Sequence, residues 1–240
     1  LSCAGYSGLM QYRGLTLDTF QSRSIQSLED GHSVLVCAPT GTGKTLIADW
    51  IVDQALSEGQ RVIYTAPIKA LSNQKFRDYG RLHGYDRVGL VTGDLVINRD
   101  APCLVMTTEI LRNILLSDES VDDLRAVVVD EIHFLDDRER GTTWEELLIY
   151  LPAHVQIVGL SATLSNQAQF QSWLEHVRGR PVDVVTETRR AVPLQIRYLA
   201  SETCRQALLA RQFANHTATL SSNHTARGCW LDEVRIRPPP

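Results

Sequence analysis

Two kinds of hydrophobic pattern alternate along the chain. Short, nearly continuous apolar runs, rich in β-branched residues and bounded by turn formers, occupy residues 34–37, 62–65, 88–92, 104–106, 126–129 and 155–160. Between them, residues 45–56, 70–82, 109–116, 143–151 and 167–177 bring apolar side chains back every three or four positions, which predicts amphipathic helices. A strand that is apolar throughout must bury both faces. Alternation with helices therefore predicts a parallel sheet covered on both sides, an α/β fold of the Rossmann or P-loop kind. In such sheets the working residues lie on loops at the carboxyl ends of the strands.

This pattern ends near residue 198. Residues 201–240 show weak periodicity, finish in three prolines and contain the near-repeat Asn215-His216-Thr217-Ala218 and Asn223-His224-Thr225-Ala226. Residues 1–198 are thus expected to form one domain, and 199–240 a linker or irregular tail. Both near-repeat copies match the N-glycosylation triplet, which is expected to stay idle because no signal-peptide pattern is visible in the given sequence. The chain begins at Leu1, and the expectation is a fragment or a processed form.

Composition narrows the function. With 43% hydrophobic and 22% charged residues, the 240-residue chain is an ordinary globular protein. No apolar run approaches the ~20 residues of a membrane span, so no membrane partner is expected. A net charge of −4 argues against a broad basic surface, so any nucleic acid must sit in a local groove. Cys3, Cys37, Cys103, Cys204 and Cys229 lie far apart without a CxxC pair, which reads as reduced thiols of a cytoplasmic protein. Only three basic residues are lysines, Lys44, Lys69 and Lys75, and all three fall in segments with candidate chemistry.

The strongest such segment is Ala38-Pro39-Thr40-Gly41-Thr42-Gly43-Lys44-Thr45, between a predicted strand and a predicted helix. Glycines let backbone N–H groups curl around an anion, and the helix start adds its positive dipole end. Lys44 would meet the β- and γ-phosphates of ATP, and the Thr45 hydroxyl would ligate Mg²⁺. Ala38 holds the place usually taken by glycine. A second segment, Val127-Val128-Val129-Asp130-Glu131-Ile132-His133, ends an apolar strand in two carboxylates. Asp130 suits the Mg²⁺ shell and Glu131 the orientation of an attacking water, with His133 close enough to take a catalytic role. Third, Ser161-Ala162-Thr163 follows the strand at 155–160, where small hydroxyls would couple to Asp130 or His133 and report the nucleotide state.

These three segments, in this order, resemble the superfamily 2 helicases. Asp130-Glu131-Ile132-His133 resembles the DEVH-box branch, the superkiller and exosome-cofactor type of RNA helicase, with isoleucine for valine. Leu17-Asp18-x-Phe20-Gln21 is similar to the element in which a glutamine, here Gln21, reads the adenine edge. The run from Thr65 to Lys75 resembles a motif that grips the nucleic-acid backbone, through Pro67, Lys69, Asn73 and Lys75. Val91-Thr92-Gly93-Asp94 and Met106-Thr107-Thr108-Glu109-Ile110-Leu111-Arg112 resemble the next two strand-contacting motifs. Arg140-Gly141-x-x-Trp144-Glu145-Glu146 is similar to the stretch after the DEVH box, and Arg190-Ala191-Val192-Pro193-Leu194 to the linker into a second lobe. The resemblance covers about residues 15–198 and implies the first, amino-terminal RecA-like lobe of an ATP-dependent RNA helicase. ATP and Mg²⁺ are the implied cofactors, and single-stranded nucleic acid, RNA rather than DNA, the implied partner. Independently of the resemblance, Thr107 and Thr108 open a helix after a strand, and Lys69, Asn73 and Lys75 cluster at another helix start. Contacts of that kind follow phosphates and not bases.

Two positions depart from the branch pattern. Leu15 stands where an aromatic often stacks on adenine, and no Gln- or His-x-x-Gly-Arg-x-Gly-Arg segment supplies an arginine finger. Arg178-Gly179-Arg180 directly follows a helix and is not a substitute. A second RecA-like lobe is thus expected to be missing from this chain. The competing readings are a nucleotide- and nucleic-acid-binding module without useful turnover and another P-loop phosphotransferase.

Overall fold

The computed structural model describes residues 10–117, 121–133, 141–162, 164 and 166–190. The chain divides into a unit ending at Ala191 and a second unit from Val192, and the second lies outside the described residues. The expected boundary at 198, the tail and all of the linker-like segment but Arg190 also lie outside the described residues.

A two-stranded hairpin, β1 (Gln11–Tyr12) and β2 (Leu15–Thr16), leads into helix α1 (Thr19–Glu29). Strand and helix then alternate: β3 (Ser33–Cys37), α2 (Thr45–Ser57), β4 (Arg61–Ala66), α3 (Lys69–His83), β5 (Val88–Val91), β6 (Val96–Ile97), β7 (Cys103–Thr107), α4 (Thr108–Leu115), β8 (Leu124–Val129), α5 (Gly141–Tyr150), β9 (Gln156–Ser161), α6 (Gln167–Arg178) and β10 (Val182–Thr186). The main sheet has eight strands in the order β10-β3-β9-β8-β4-β7-β5-β6. Every pairing in it is parallel except β5–β6, so the expected parallel sheet carries one antiparallel edge strand.

The strands are buried on both faces, as their uninterrupted apolar runs require. Val34, Val36, Ala126 and Val128 face a core built with Ile25 and Leu28 of α1, Ile47 and Ile51 of α2, and Tyr79 of α3. Their neighbours Leu35, Val127 and Val129 face the opposite core, with Leu111 of α4, Trp144, Leu147 and Leu148 of α5, and Leu174 of α6. Period-two alternation thus feeds two apolar layers from one sheet.

The strand order also sorts the carboxyl edge. β3, β9 and β8 end side by side, and β4, β7 and β5 end beside one another next to them. Each predicted strand and helix is present within a residue or two, apart from α1, β10 and the short strands of the two hairpins, which the hydrophobic pattern does not reveal. In α1 two of the buried residues are the polar Gln21 and Ser24, which interrupts its apolar stripe. In β10 Asp183 breaks the apolar run, because this strand lies at the sheet edge beside β3.

Candidate nucleotide and nucleic-acid site

The phosphate-type loop occupies the β3–α2 turn. Gly41 and Gly43 adopt φ of +85° and +84°, the left-handed region open to glycine, which turns successive backbone groups inward. Thr42 closes the turn, its hydroxyl donating to the Pro39 carbonyl at 2.8 Å. The loop is tied to the next strand by the Ala38 N–H, which donates to the Ser161 carbonyl at 3.0 Å. Lys44 Nζ donates to the carbonyls of Ala38 at 2.5 Å and Pro39 at 3.1 Å. Burial pulls the Lys44 ammonium below its ordinary pKa, against the opposing pull of Glu131 and Asp130. Ammonium and carboxylates therefore share one electrostatic neighbourhood.

Gln21 braces this loop from α1. Its Nε2 donates to the Gly43 carbonyl at 3.0 Å, and its Oε1 accepts from the Asp18 N–H at 2.9 Å. The side chain is 4% exposed. A carboxamide carries two N–H donors and two acceptor lone pairs, so one of each remains for a ligand edge. The fit is close, because a Cβ on Gly43 would stand 2.7 Å from Gln21 Nε2.

At the end of β8 the Asp130 carboxylate is held on both oxygens. Tyr64 Oη donates to Oδ2 at 2.6 Å, and the Glu131 N–H donates to Oδ1 at 3.0 Å. Glu131 has φ of +54°, a left-handed conformation that costs a non-glycine residue energy. The turn is anchored by Ile132, fully buried in the α4–α6 core. Space for it comes from Gly159, where a Cβ would meet Leu35 Cδ2 at 2.6 Å and Ile132 Cδ1 at 3.1 Å. His133 Nδ1 lies 3.2 Å from Glu131 Oε2. Ser161 is buried at the end of β9, Ala162 follows half-buried, and Thr163 lies outside the described residues. The hard oxygen donors Thr45 and Asp130, beside a loop shaped for an anion, have the chemistry of a Mg²⁺–nucleotide site. Among the described residues no three His, Cys, Asp or Glu side chains form a metal cluster of their own.

The other half of the edge gathers most of the expected backbone-binding residues. Pro67 is buried at the end of β4, and Lys69, 56% exposed at its side chain, opens α3. Lys69 Nζ pairs with Asp94 Oδ1 at 2.9 Å across from β5, and Thr92 Oγ1 also donates to that oxygen at 3.0 Å. These two hydrogen bonds hold the exposed Asp94 carboxyl below its usual pKa. Gly93 leaves the space beside Lys69 open, and Asn73 lies half-exposed one turn along α3. Thr107 stands opposite Ala66 in the sheet and precedes α4. Thr108 is only 1% exposed with its hydroxyl enclosed, so its side chain is not presented at the surface.

Lys75 departs from the expected cluster. Its side chain is 17% exposed and turns to the other side of α3, with Nζ 3.9 Å from Asp49 Oδ1 and 5.1 and 5.2 Å from the ring centroids of Tyr64 and Tyr79. The expected backbone contact at Lys75 is therefore corrected: an ammonium enclosed by two rings and a carboxylate is not presented to a strand beside Lys69.

The hydrophobic pattern also gives no sign of the segment after β10. The Glu187 N–H donates to the Cys37 carbonyl at 2.9 Å, which carries residues 187–190 past the phosphate-type loop. Glu187, Arg189 and Arg190 line a cavity of about 300 Å³ with Asp18, Thr19, Phe20 and Thr42. Arg178, by contrast, is buried and donates to the carbonyls of Leu151, Pro152 and Val155, which fixes it as structural. Arg112 of α4 pairs with Glu146 of α5 at 2.5 Å, joining two of the motif-bearing helices. Arg140 lies outside the described residues, and no described helix is long and apolar enough to cross a membrane.

Comparison with known proteins agrees with this geometry. The chain is 51% identical over 180 residues to a probable helicase, HelY, of Mycobacterium tuberculosis, a match spanning 75% of this chain and 20% of that protein. It is 50% identical over 181 residues to the ATP-dependent RNA helicase mtr4 of Schizosaccharomyces pombe (75% and 16%), and 44% identical over 187 residues to the antiviral helicase SKI2 of Saccharomyces cerevisiae (78% and 14%). The chain thus spans about a fifth or less of these relatives' lengths. In fold it is similar to the DUF1998 helicase MrfA bound to DNA and AMPPNP, with a TM-score of 0.63 at 22% identity over 84% of this chain and 33% of that one. The Mycobacterium smegmatis helicase Lhr, bound to single-stranded DNA and AMP-PNP, superposes with a TM-score of 0.58 at 24% identity, covering 83% and 31%. The family model for DEAD/DEAH box helicases matches residues 18–170, more than half the chain, and the chain belongs to that family as a RecA-like lobe of the Ski2-like kind.

Proposed function

We propose that this lobe binds ATP–Mg²⁺ and, with a second RecA-like lobe, hydrolyses it in response to single-stranded RNA. The observation that carries the proposal is the sorting of the sheet's carboxyl edge. β3, β9 and β8 bring the phosphate-type loop, Ser161 and Asp130–Glu131 together, while β4, β7 and β5 present Pro67–Lys69, Thr107 and Gly93–Asp94 alongside. Residues 38–45 cradle the phosphates, Lys44 neutralises charge on the β- and γ-phosphates, and Thr45 and Asp130 hold the ion. When bound, Mg²⁺ supplies charge stabilisation at the γ-phosphate. Glu131, steadied by His133, orients the attacking water, and Ser161–Thr163 couple nucleotide state to the partner lobe. Gln21 joins the nucleotide pocket through its remaining N–H and lone pair.

Lys69, Asn73, Gly93 and the starts of α3 and α4 follow the nucleic-acid backbone and leave the bases unread. RNA over DNA is favoured because mtr4 is named as an RNA helicase. Residues 1–198 are taken as this lobe and 199–240 as linker or tail. The buried free thiols Cys37 and Cys103 fit a reducing cytoplasm.

The test measures ATP turnover with RNA, with single-stranded DNA and with neither, using a partner lobe fused after Leu199. Stimulation by RNA that Glu131→Gln abolishes, with nucleotide binding retained, is the expected result. Turnover indifferent to nucleic acid, with a phosphorylated small-molecule product, would overturn the assignment in favour of a phosphotransferase.

A further inference from the structure

Tyr64 sits in the middle of β4 without surface exposure, between Val62-Ile63 and Thr65-Ala66. A buried phenol needs a partner for its hydroxyl. Here that partner is Asp130 Oδ2, at 2.6 Å, in the turn just after the neighbouring strand β8. Because Oδ1 takes the Glu131 N–H, two donors fixed in backbone and core determine the orientation of the carboxylate.

The Tyr64 ring is itself held by two neighbours. Tyr79 meets its ring edge-to-face, with centroids 5.7 Å apart and planes at 76°, and Lys75 Nζ lies 5.1 Å from the centroid. Asp49 then gathers the cluster, accepting from Tyr79 Oη at 3.0 Å, pairing with Lys75 at 3.9 Å, and meeting Arg13 at 3.6 Å. Asp49 lies one turn into α2, four residues after Thr45. The group that steadies Tyr64 is therefore attached to the helix bearing Thr45, while Tyr64 steadies Asp130. The cluster that braces Asp130 through Tyr64 is thus tied, through Asp49, to the helix that carries Thr45.

We propose that Tyr64 is a positioning residue for the metal-side carboxylate, setting the orientation of Asp130 and with it the strength of Mg²⁺-assisted nucleotide binding. This rests on the reading of Asp130 as the Mg²⁺ carboxylate. Outer-shell partners of metal ligands commonly contribute ten- to a hundredfold in metal affinity, because they hold the ligand in its binding geometry. Tyr64→Phe removes only the hydroxyl and keeps the ring beneath Lys75 and against Tyr79, so the fold is retained and thermal unfolding checks it.

The experiment uses the full chain and a fluorescent ATP analogue, with its Kd measured in excess Mg²⁺ and in EDTA. The ratio of the two reports the ion's contribution without any turnover. Tyr64→Phe is expected to shrink that ratio about tenfold while leaving the EDTA affinity within about twofold. Asp130→Asn should shrink it as well, and adding Tyr64→Phe to Asp130→Asn should change nothing more, since the hydroxyl acts through that carboxylate. An unchanged ratio in a folded Tyr64→Phe protein, with Asp130→Asn still effective, overturns the role of Tyr64. An unchanged ratio in Asp130→Asn removes the metal reading itself, and the proposal with it.

Discussion

Replacing Gln21 by alanine separates two tasks that one side chain performs. The side chain is 4% exposed, donates to the Gly43 carbonyl at 3.0 Å and accepts from the Asp18 N–H at 2.9 Å. Truncation deletes both bonds, taking the acceptor from the Asp18 N–H and leaving the Gly43 carbonyl with only the Leu46 N–H. At ~1 kcal/mol per lost bond, and more where water enters poorly, the site loses about 2–3 kcal/mol. Part of that loss falls on the phosphate-type loop, since Gly43 is the residue being held. If half of it appears as loop disorder relieved on binding, ATP affinity falls about tenfold through the brace alone. The assay compares ATP, GTP and inorganic tripolyphosphate, all with Mg²⁺, by competition against one fluorescent nucleotide. Loss of the brace weakens all three ligands, and any contact with the adenine edge adds a further loss confined to ATP. Unchanged tripolyphosphate affinity would show that Gln21 does not support the loop.

Further outcomes follow from single contacts. Lys44→Ala should weaken ATP–Mg²⁺ binding at least about tenfold in equilibrium titrations, because a phosphate-paired charge contributes ~1.5 kcal/mol or more. Affinity within about threefold of the parent would remove Lys44 from the phosphate site. Arg178→Met removes the donors to the carbonyls of Leu151, Pro152 and Val155, of which Pro152 keeps the Val155 N–H, and should cost ~2–3 kcal/mol, lowering Tm by about 4–12 °C in a domain of this size. A calorimetric Tm unchanged by this substitution would show the three bonds to be dispensable. Burial pushes the Cys37 thiol up to about 11 and the Cys103 thiol up to about 12. At pH 8 both should therefore remain protonated and escape alkylation until denaturant is added, as peptide mass spectrometry would reveal.

The continuous apolar strands made the sheet legible in the sequence, and the glycines and paired acids at their ends made the phosphate-type loop and Asp130–Glu131 legible. What stayed hidden was set by three-dimensional partners. Grouping Lys75 with Lys69 and Asn73 overlooked helical geometry: four residues return to the same face, but six leave a side chain about 120° away. The same arithmetic puts Lys75 and Tyr79 together, as the structure does. Tyr64 carried a fainter signal, a lone phenol inside a buried strand, whose hydroxyl had to find an acceptor. Gln21 was visible as a motif residue, but its bond to Gly43 depends on the approach of α1 to a loop 22 residues further on. Residues 187–190 came into the site only because β10 pairs with β3, and no local pattern records that neighbour.

The ion pair between Lys69 and Asp94 bears on how this surface would respond to salt. A lysine surrounded by solvent ions, on meeting a phosphate, helps release condensed cations from the nucleic acid, and each such contact steepens the fall of affinity with ionic strength. Lys69 already holds a carboxylate at 2.9 Å, so its encounter with a phosphate is an exchange of one anion for another. Asp94, displaced, must then recruit a cation from solution or be repelled by the incoming strand. The charge neutralised at this position is therefore smaller than the lysine alone implies, and log Kd should vary less steeply with log salt than a count of basic contacts predicts. Tight, indiscriminate holding of polyanions is discouraged at a surface that would have to let a strand pass, and the carboxylate acts there as a built-in competitor for the phosphate.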